Sequence, residues 1–264
     1  MEYANPKKSK VRGLSLLKIK VIAAILLLFG TLSTCFLQSS SGYDSADMSQ
    51  LTYALLTEAI SWISAPLYAW MTVNALYHAS SRRRYVIDLF LLAIASEIPY
   101  NMATGGKYLY FDSQNPVWAL AVGAAVLCIL RMLPSEENRT RMPWNGPNMK
   151  TTYATANIIR VMLVFSAAVW IWVLRIGQRA GAVPIGLIIF ALILIFSQKK
   201  RAENTVMLSA AAVGALAFVV PALGVMILHW ENGEKGWKHS IVPKIFYVLY
   251  PAQLLIFGAI SMMR

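Results

Sequence analysis

The chain has 264 residues, of which 58% belong to the AVILMFWYC set and 14% are charged, with a mean hydropathy of +0.55. A soluble globule cannot carry that much apolar surface, because its exterior needs polar cover, whereas apolar stretches of roughly 17–25 residues match the hydrocarbon core of a bilayer. The net charge of +12 is spread over short basic clusters beside those stretches, the pattern of topology signals and contacts to anionic headgroups rather than of a nucleic-acid partner.

The sequence predicts an all-α, polytopic membrane protein folded as a single domain over 1–264, with 1–16 a basic cytoplasmic segment containing KKSKVR. Eight apolar segments follow, near 17–37, 55–77, 85–103, 115–133, 154–176, 180–197, 206–229 and 241–262. The first is long for a secretory h-region and no A-x-A site follows it, so it is predicted to stay as a span. The second, third and eighth are the least regular, each carrying polar residues or a proline. Between the fourth and fifth, PSEENRTRMPWNGPNMKTT (134–152) has the Pro, Gly, Asn and charge of a loop. Cys35 and Cys128 lie in separate apolar runs, without CxxC spacing or a Cys/His cluster, so neither a disulfide nor a metal site is expected.

Orientation follows from the flanking Lys and Arg residues. Eight spans with the N-terminus inside put 17 of the 24 basic residues on the inner side and six on the outer, with Arg160 inside the fifth segment. Both termini are therefore predicted to be cytoplasmic, and the expected location is the bacterial cytoplasmic (inner) membrane.

Ionisable groups within a span are costly, by about 2.5–3.5 kcal/mol at a helix centre on insertion scales. Glu97, in LLAIASEIPYN, lies about 12 residues, roughly 18 Å, from the inner end of its segment. Pro99 follows, where a helix kinks or ends. A carboxylate beside a break is either a substrate or proton site or a neutral or paired group that knits helices together. Arg160 cannot lose its proton and, if buried, needs an acidic partner, for which Glu97 and Glu58 are available. Asn74, Asn115 and Gln253 are interhelical hydrogen-bonding groups by the bland reading, and substrate contacts by the sharper one.

Several stretches together resemble the TraX family of membrane proteins. In 65–103, APLYAWMTVNALYHASSRRRYVIDLFLLAIASEIPYNMA, a proline-containing helix and a basic turn lead into Ser96, Glu97, Ile98, Pro99 and Tyr100. Asn115 in QNPVWAL, the closing KIFYVLYPAQLLIF and the opening LLKIKVIAAILLLFG fall in the family's order. The resemblance implies acyl or acetyl transfer within a helical bundle, with a cytoplasmic acyl-CoA as donor substrate; no bound cofactor is expected. It also implies a membrane or exported protein or lipid as acceptor, beside the surrounding lipid bilayer.

The departures bear on catalysis. Leu28 and Phe29 stand where the family has Asp-His, Ser61 and Trp62 where it has Gly-Arg, and Asn74 at an acidic position. Gln253 replaces the histidine that follows Tyr-Pro. An amide does not titrate near neutrality and cannot deprotonate an acceptor as an imidazole does. His78, His229 and His239 all fall at segment ends. Three readings stay open: a catalytically degenerate, acyltransferase-like binding or assembly component; an active acyltransferase with a site rearranged around Glu97; and a small-solute transporter lined by Glu97 and Arg160. The candidate site residues are Glu97, Asn115, Gln253, Arg160 and Asn74.

Overall fold

A computed structural model describes residues 12–38, 48–134, 149–179, 183–198, 203–216, 219–239 and 241–263. These form ten helices: α1 (Leu16–Gln38), α2 (Met48–Trp62), α3 (Ser64–His78), α4 (Arg82–Gly105), α5 (Val117–Met132), α6 (Met149–Val173), α7 (Ile185–Phe196), α8 (Glu203–Leu216), α9 (Val220–Leu228) and α10 (Val242–Met262). A pair of two-residue strands, β1 (Gln178–Arg179) and β2 (Val183–Pro184), joins α6 to α7 in antiparallel register. The expectation of an all-α membrane protein holds: four helices are long and apolar enough to cross a membrane, at 16–33, 82–105, 154–173 and 244–262. Shorter apolar helices run over 117–132 and 185–196.

Proline has opposite effects in different segments. The second predicted span is broken at Ile63 between α2 and α3, and Pro66 lies just inside α3, where its ring would clash with the carbonyl four residues back in a continuous helix. Pro99 and Pro251, by contrast, lie inside uninterrupted α4 and α10, so the break predicted beside Glu97 is absent. Ser81 starts α4 by accepting from the Arg84 N–H, and Gly106, left-handed at φ 61°, ends it with its N–H on the Met102 carbonyl.

The core gathers around α7, whose Leu192 and Ile193 are fully buried between α3, α5 and α8. On α5, Ala119, Ala121 and Ala124 are likewise fully buried, the small residues that let membrane helices approach. Helix α6 is peripheral, packing on α5 and α7 and exposing Val161, Phe165, Trp170 and Trp172.

The two ends of the bundle differ in charge. At one end α4 leads into 106–116, which meets the α6–α7 turn: the Gly177 N–H donates to the Gln114 carbonyl at 2.7 Å, and Arg175 pairs with Asp112 at 3.2 Å. Lys107, Arg175 and Arg179 are the basic residues of that end among the described residues. The other end collects Arg12, Lys18, Lys20, Arg82, Arg83, Arg84, Arg131, Lys150, Lys235, Lys238 and Lys244. We call these the far end and the basic end.

The path of the chain after α7 corrects the predicted topology. Helix α7 exits at the basic end, where the Tyr77 hydroxyl donates to the Ser197 carbonyl at 2.9 Å. Helix α8 starts there, its Val206 and Ser209 beside Leu194 and Gln198. It packs closely on α9, since a Cβ on Gly214 would lie 3.1 Å from the Ala222 nitrogen. Helix α9 returns to the basic end, where the Asn232 N–H donates to the Leu14 carbonyl at 3.1 Å and the Leu16 N–H to the Glu234 carbonyl at 2.8 Å. The predicted span 206–229 is thus a hairpin that enters and leaves on one side, its Gly224 pressed against the Ile63 carbonyl at the α2–α3 break. Helix α10 therefore begins at the basic end and runs parallel to α1 and α4, with Phe246 beside Lys20 and Gly258 beside Met102. The start of α1 and the end of α10 lie at opposite ends of the bundle, not on the same side. The correction moves Lys235, Lys238 and Lys244 to the basic end and sharpens the charge asymmetry.

Candidate functional site

Two polar features lie inside the bundle, and they adjoin. The first is a joint in the far half where α4, α5 and α10 meet. Asn115, fully buried just before α5, donates from Nδ2 to Ser96 Oγ at 2.6 Å. Its Oδ1 accepts from the Val117 N–H at 3.0 Å and the Tyr250 hydroxyl at 2.8 Å. Ser96 Oγ in turn donates to the Leu92 carbonyl at 2.5 Å. One turn on, the Tyr100 hydroxyl shares a 2.8 Å bond with Ser113 Oγ, which donates to the Gln178 carbonyl. Beside this chain of bonds, Glu97 Oε2 accepts from Trp118 Nε1 at 2.7 Å, while Oε1 is buried without a hydrogen-bond partner.

The second feature is a cavity of about 640 Å³. Its lining includes exposed His78, Gly233, Glu234 and Lys235 at the basic end, and buried Val117, Gly177 and Ile185 toward the far end. The cavity therefore opens at the basic end and is closed at the other. Along α1 the lining runs from Leu16 to Leu27, an axial depth of about 16 Å at 1.5 Å per residue. The deep wall is apolar and aromatic, with Trp62, Ala65, Leu89, Leu92, Leu120 and Ile189. Polar atoms enter from Ser61, Ser64, Thr72, Asn74 and Tyr250. A large apolar cavity with few polar groups is the usual form of a small-molecule site.

The five residues singled out from the sequence do not converge. Glu97 and Asn115 belong to the far-half joint, and Leu92, Val117 and Tyr250 both line the cavity and bond to that joint. Gln253, one turn beyond Tyr250, is buried with its Nε2 lacking a partner, and it does not line the cavity. Asn74 does line it. Arg160 does not meet Glu97 or Glu58: its guanidinium donates to Asn157 Oδ1 at 2.5 Å and to the Leu133 and Pro134 carbonyls at 3.2 and 2.6 Å, closing the exit of α5.

Two cavity residues escape a reading of the sequence because each stands near a segment end. His78 lines the cavity mouth, and its Nδ1 bonds the Asn74 carbonyl at 2.8 Å. A carbonyl can only accept, so Nδ1 carries the proton and Nε2 keeps its lone pair when the ring is neutral. Lys20 lines the wall one turn inside the mouth. The signal for both was helical spacing: Asn74 and His78 lie four apart, as do Leu16 and Lys20, so each pair shares a face. Among the described residues no three His, Cys, Asp or Glu side chains gather into a metal-binding group.

A helical bundle with long apolar helices and a cavity open at its basic end defines a polytopic membrane protein with an internal cavity. A family model described as TraX protein matches residues 15–261. The chain belongs to the TraX family. No curated protein and no solved structure matches it.

Proposed function

We propose that this TraX-family protein binds an acyl-bearing amphiphile, with acyl-CoA as the donor class implied by the family, in the cavity open at its basic end. In this reading the basic end faces the cytoplasm of a bacterial inner membrane. The bundle acts as a binding or assembly component of acyltransferase-like design, without transfer chemistry at Glu97. The observation that carries the reading is that none of Glu97, Asn115 and Gln253 lines the cavity. A base must come within hydrogen-bond reach of the proton that it takes. Glu97 faces the α4–α5 seam, bonded to Trp118, and Leu28 and Phe29 stand outside the lining. The apolar depth suits a hydrocarbon chain, and Arg82–Arg84, Lys235 and Lys238 at the same end suit phosphates.

One observation favours a second reading, active transfer. His78 carries a free Nε2 at the cavity mouth, where an acceptor would meet a donor thioester. For a transport path joining Glu97 to Arg160 no comparable support exists, because the two side chains bond to different elements.

The test is equilibrium binding of acetyl-, octanoyl- and dodecanoyl-CoA to the protein in nanodiscs, with free thiol release recorded in parallel. Affinity should rise with chain length, by up to about 0.8 kcal/mol per buried methylene, without thiol release above the empty-disc rate. Binding that is absent or independent of chain length would sink the cavity reading. Thiol release abolished by His78→Asn would establish the second reading in its place.

A further inference from the structure

The feature that the proposed function leaves unused is an ammonium group set into the cavity wall. Lys20 is half-buried, and its Nζ lies 5.2 Å from the centroid of the Trp237 ring and 5.6 Å from that of Phe246. A lysine this close to the start of a membrane helix ordinarily extends its stem to place the charge in headgroup water. Here the segment after α9 folds over it. The Leu16 and Leu17 N–H groups donate to the Glu234 and Lys235 carbonyls at 2.8 and 3.1 Å, and this docking brings Trp237 onto Lys20. Helix α10 supplies Phe246 from the other side.

The charge on Lys20 has no counter-ion among the described residues. Among the described residues the one ion pair within 4.0 Å is Arg175 with Asp112, at the far end. Glu231 and Glu234 line the same mouth, yet neither reaches the ammonium. Glu231 Oε1 accepts from the Gly233 N–H at 2.7 Å, and Glu234 is exposed. Two ring faces attract a cation but do not neutralise it, and a charge withdrawn from water calls for an opposite charge. Beyond Lys20 the wall is mainly apolar down to Leu27 and Val117, with its few polar atoms from Ser61, Ser64, Thr72, Asn74 and Tyr250. A cation just inside the mouth, above an apolar shaft, is complementary to a single-chain amphiphile that carries its negative charge next to the chain.

We propose that Lys20 is an anion subsite of this cavity, pairing with a carboxylate or phosphate borne directly on an acyl or alkyl chain that fills the apolar depth. The proposal rests on the reading of the cavity as a chain-binding chamber and adds the chemistry of the ligand's polar end. Trp237 and Phe246 orient the ammonium, so that the site is arranged before the ligand arrives. In an acyl-CoA the phosphates lie a long arm away from the chain, so that donor gains less from Lys20 than a fatty carboxylate or an alkyl phosphate does.

The experiment measures binding of dodecanoate, dodecyl phosphate and dodecanol to the full-length protein in nanodiscs of zwitterionic lipid, for wild type, Lys20→Gln and Lys20→Arg. Wild type should prefer at least one of the two anions over dodecanol by about tenfold or more, and which one is preferred identifies the head. Lys20→Gln should lose that preference while keeping its affinity for dodecanol, which shows an intact chamber; Lys20→Arg should keep the preference. Equal binding of all three by wild type, or an undiminished preference in Lys20→Gln, overturns the proposal. If dodecanol and both anions all fail to bind, the chain-binding chamber itself is wrong and the subsite falls with it.

Discussion

The Tyr250 hydroxyl on α10 donates to Asn115 Oδ1 at the head of α5 at 2.8 Å, across 135 residues of sequence. With the Asn115 bond to Ser96 on α4, this single amide ties three helices together in the far half of the bundle. Membrane interhelical hydrogen bonds average about 0.6 kcal/mol each. Asn115→Leu, which removes two interhelical bonds and the local bond from the Val117 N–H at the start of α5, should therefore lower stability by about 2 kcal/mol, and Tyr250→Phe by about a third of that. Reversible unfolding in mixed detergent and SDS measures both. An Asn115→Leu protein as stable as wild type would remove Asn115 from its structural role.

Glu97 offers a sharper test of the same joint. Its Oε2 accepts from Trp118 Nε1 at 2.7 Å, and the amide oxygen of glutamine accepts equally well. Glu97→Gln should therefore fold and bind acyl-CoA as wild type does, whereas Glu97→Ala leaves the indole N–H without its acceptor, at a cost of about 1–3 kcal/mol. Loss of acyl-CoA binding in a folded Glu97→Gln variant would return Glu97 to the ligand site.

The bundle's polarity predicts a labelling pattern. With Cys35 and Cys128 first replaced by serine, single cysteines at Lys107 and Met263 should react together with an impermeant maleimide applied to intact cells. Cysteines at Arg83 and Lys235 should react only after permeabilisation. Met263 labelling in the same class as Lys235 would contradict the parallel arrangement of α4 and α10.

Hydropathy made the membrane class and most of the helices legible, because a chain in hydrocarbon must satisfy its backbone within helices. It did not reveal the α8–α9 reversal. A sum of apolarity over 206–229 is the same for a span and for a hairpin, and the close packing of Gly214 on Pro221 and Ala222 is a tertiary fact. The basic residues held the missing signal: Lys235, Lys238 and Lys244 were three of the six exceptions to the predicted charge bias, and the hairpin returns them to the basic end. For the site, the sequence pointed at polar residues in mid-span, and Glu97 and Asn115 are indeed engaged there, but with neighbouring helices. The cavity arises from what packing leaves open, so helical spacing could place Lys20 and His78 on shared faces with Leu16 and Asn74 but could not show that those faces line a cavity.

Two substitutions test the packing. Gly258 lets α10 lie close on α4, where an added Cβ would come 2.8 Å from Met102 Cβ; Gly258→Leu should destabilise by about 1–3 kcal/mol through overpacking. Gln253 holds a buried Nε2 with no partner; Gln253→Leu removes that unsatisfied group and should leave stability unchanged or raise it by about 1 kcal/mol. Both are read from SDS unfolding midpoints. Strong destabilisation by Gln253→Leu would mean that the amide makes a contact of its own.

The most direct test of the account is dodecanoyl-CoA binding to an Ala75→Trp variant, in which an indole is built into the cavity from α3. With the unfolding midpoint unchanged, the dissociation constant should rise by about tenfold or more, equivalent to about 1.4 kcal/mol. An unaltered affinity in the folded variant would place the acyl chain elsewhere and contradict the cavity as the binding site.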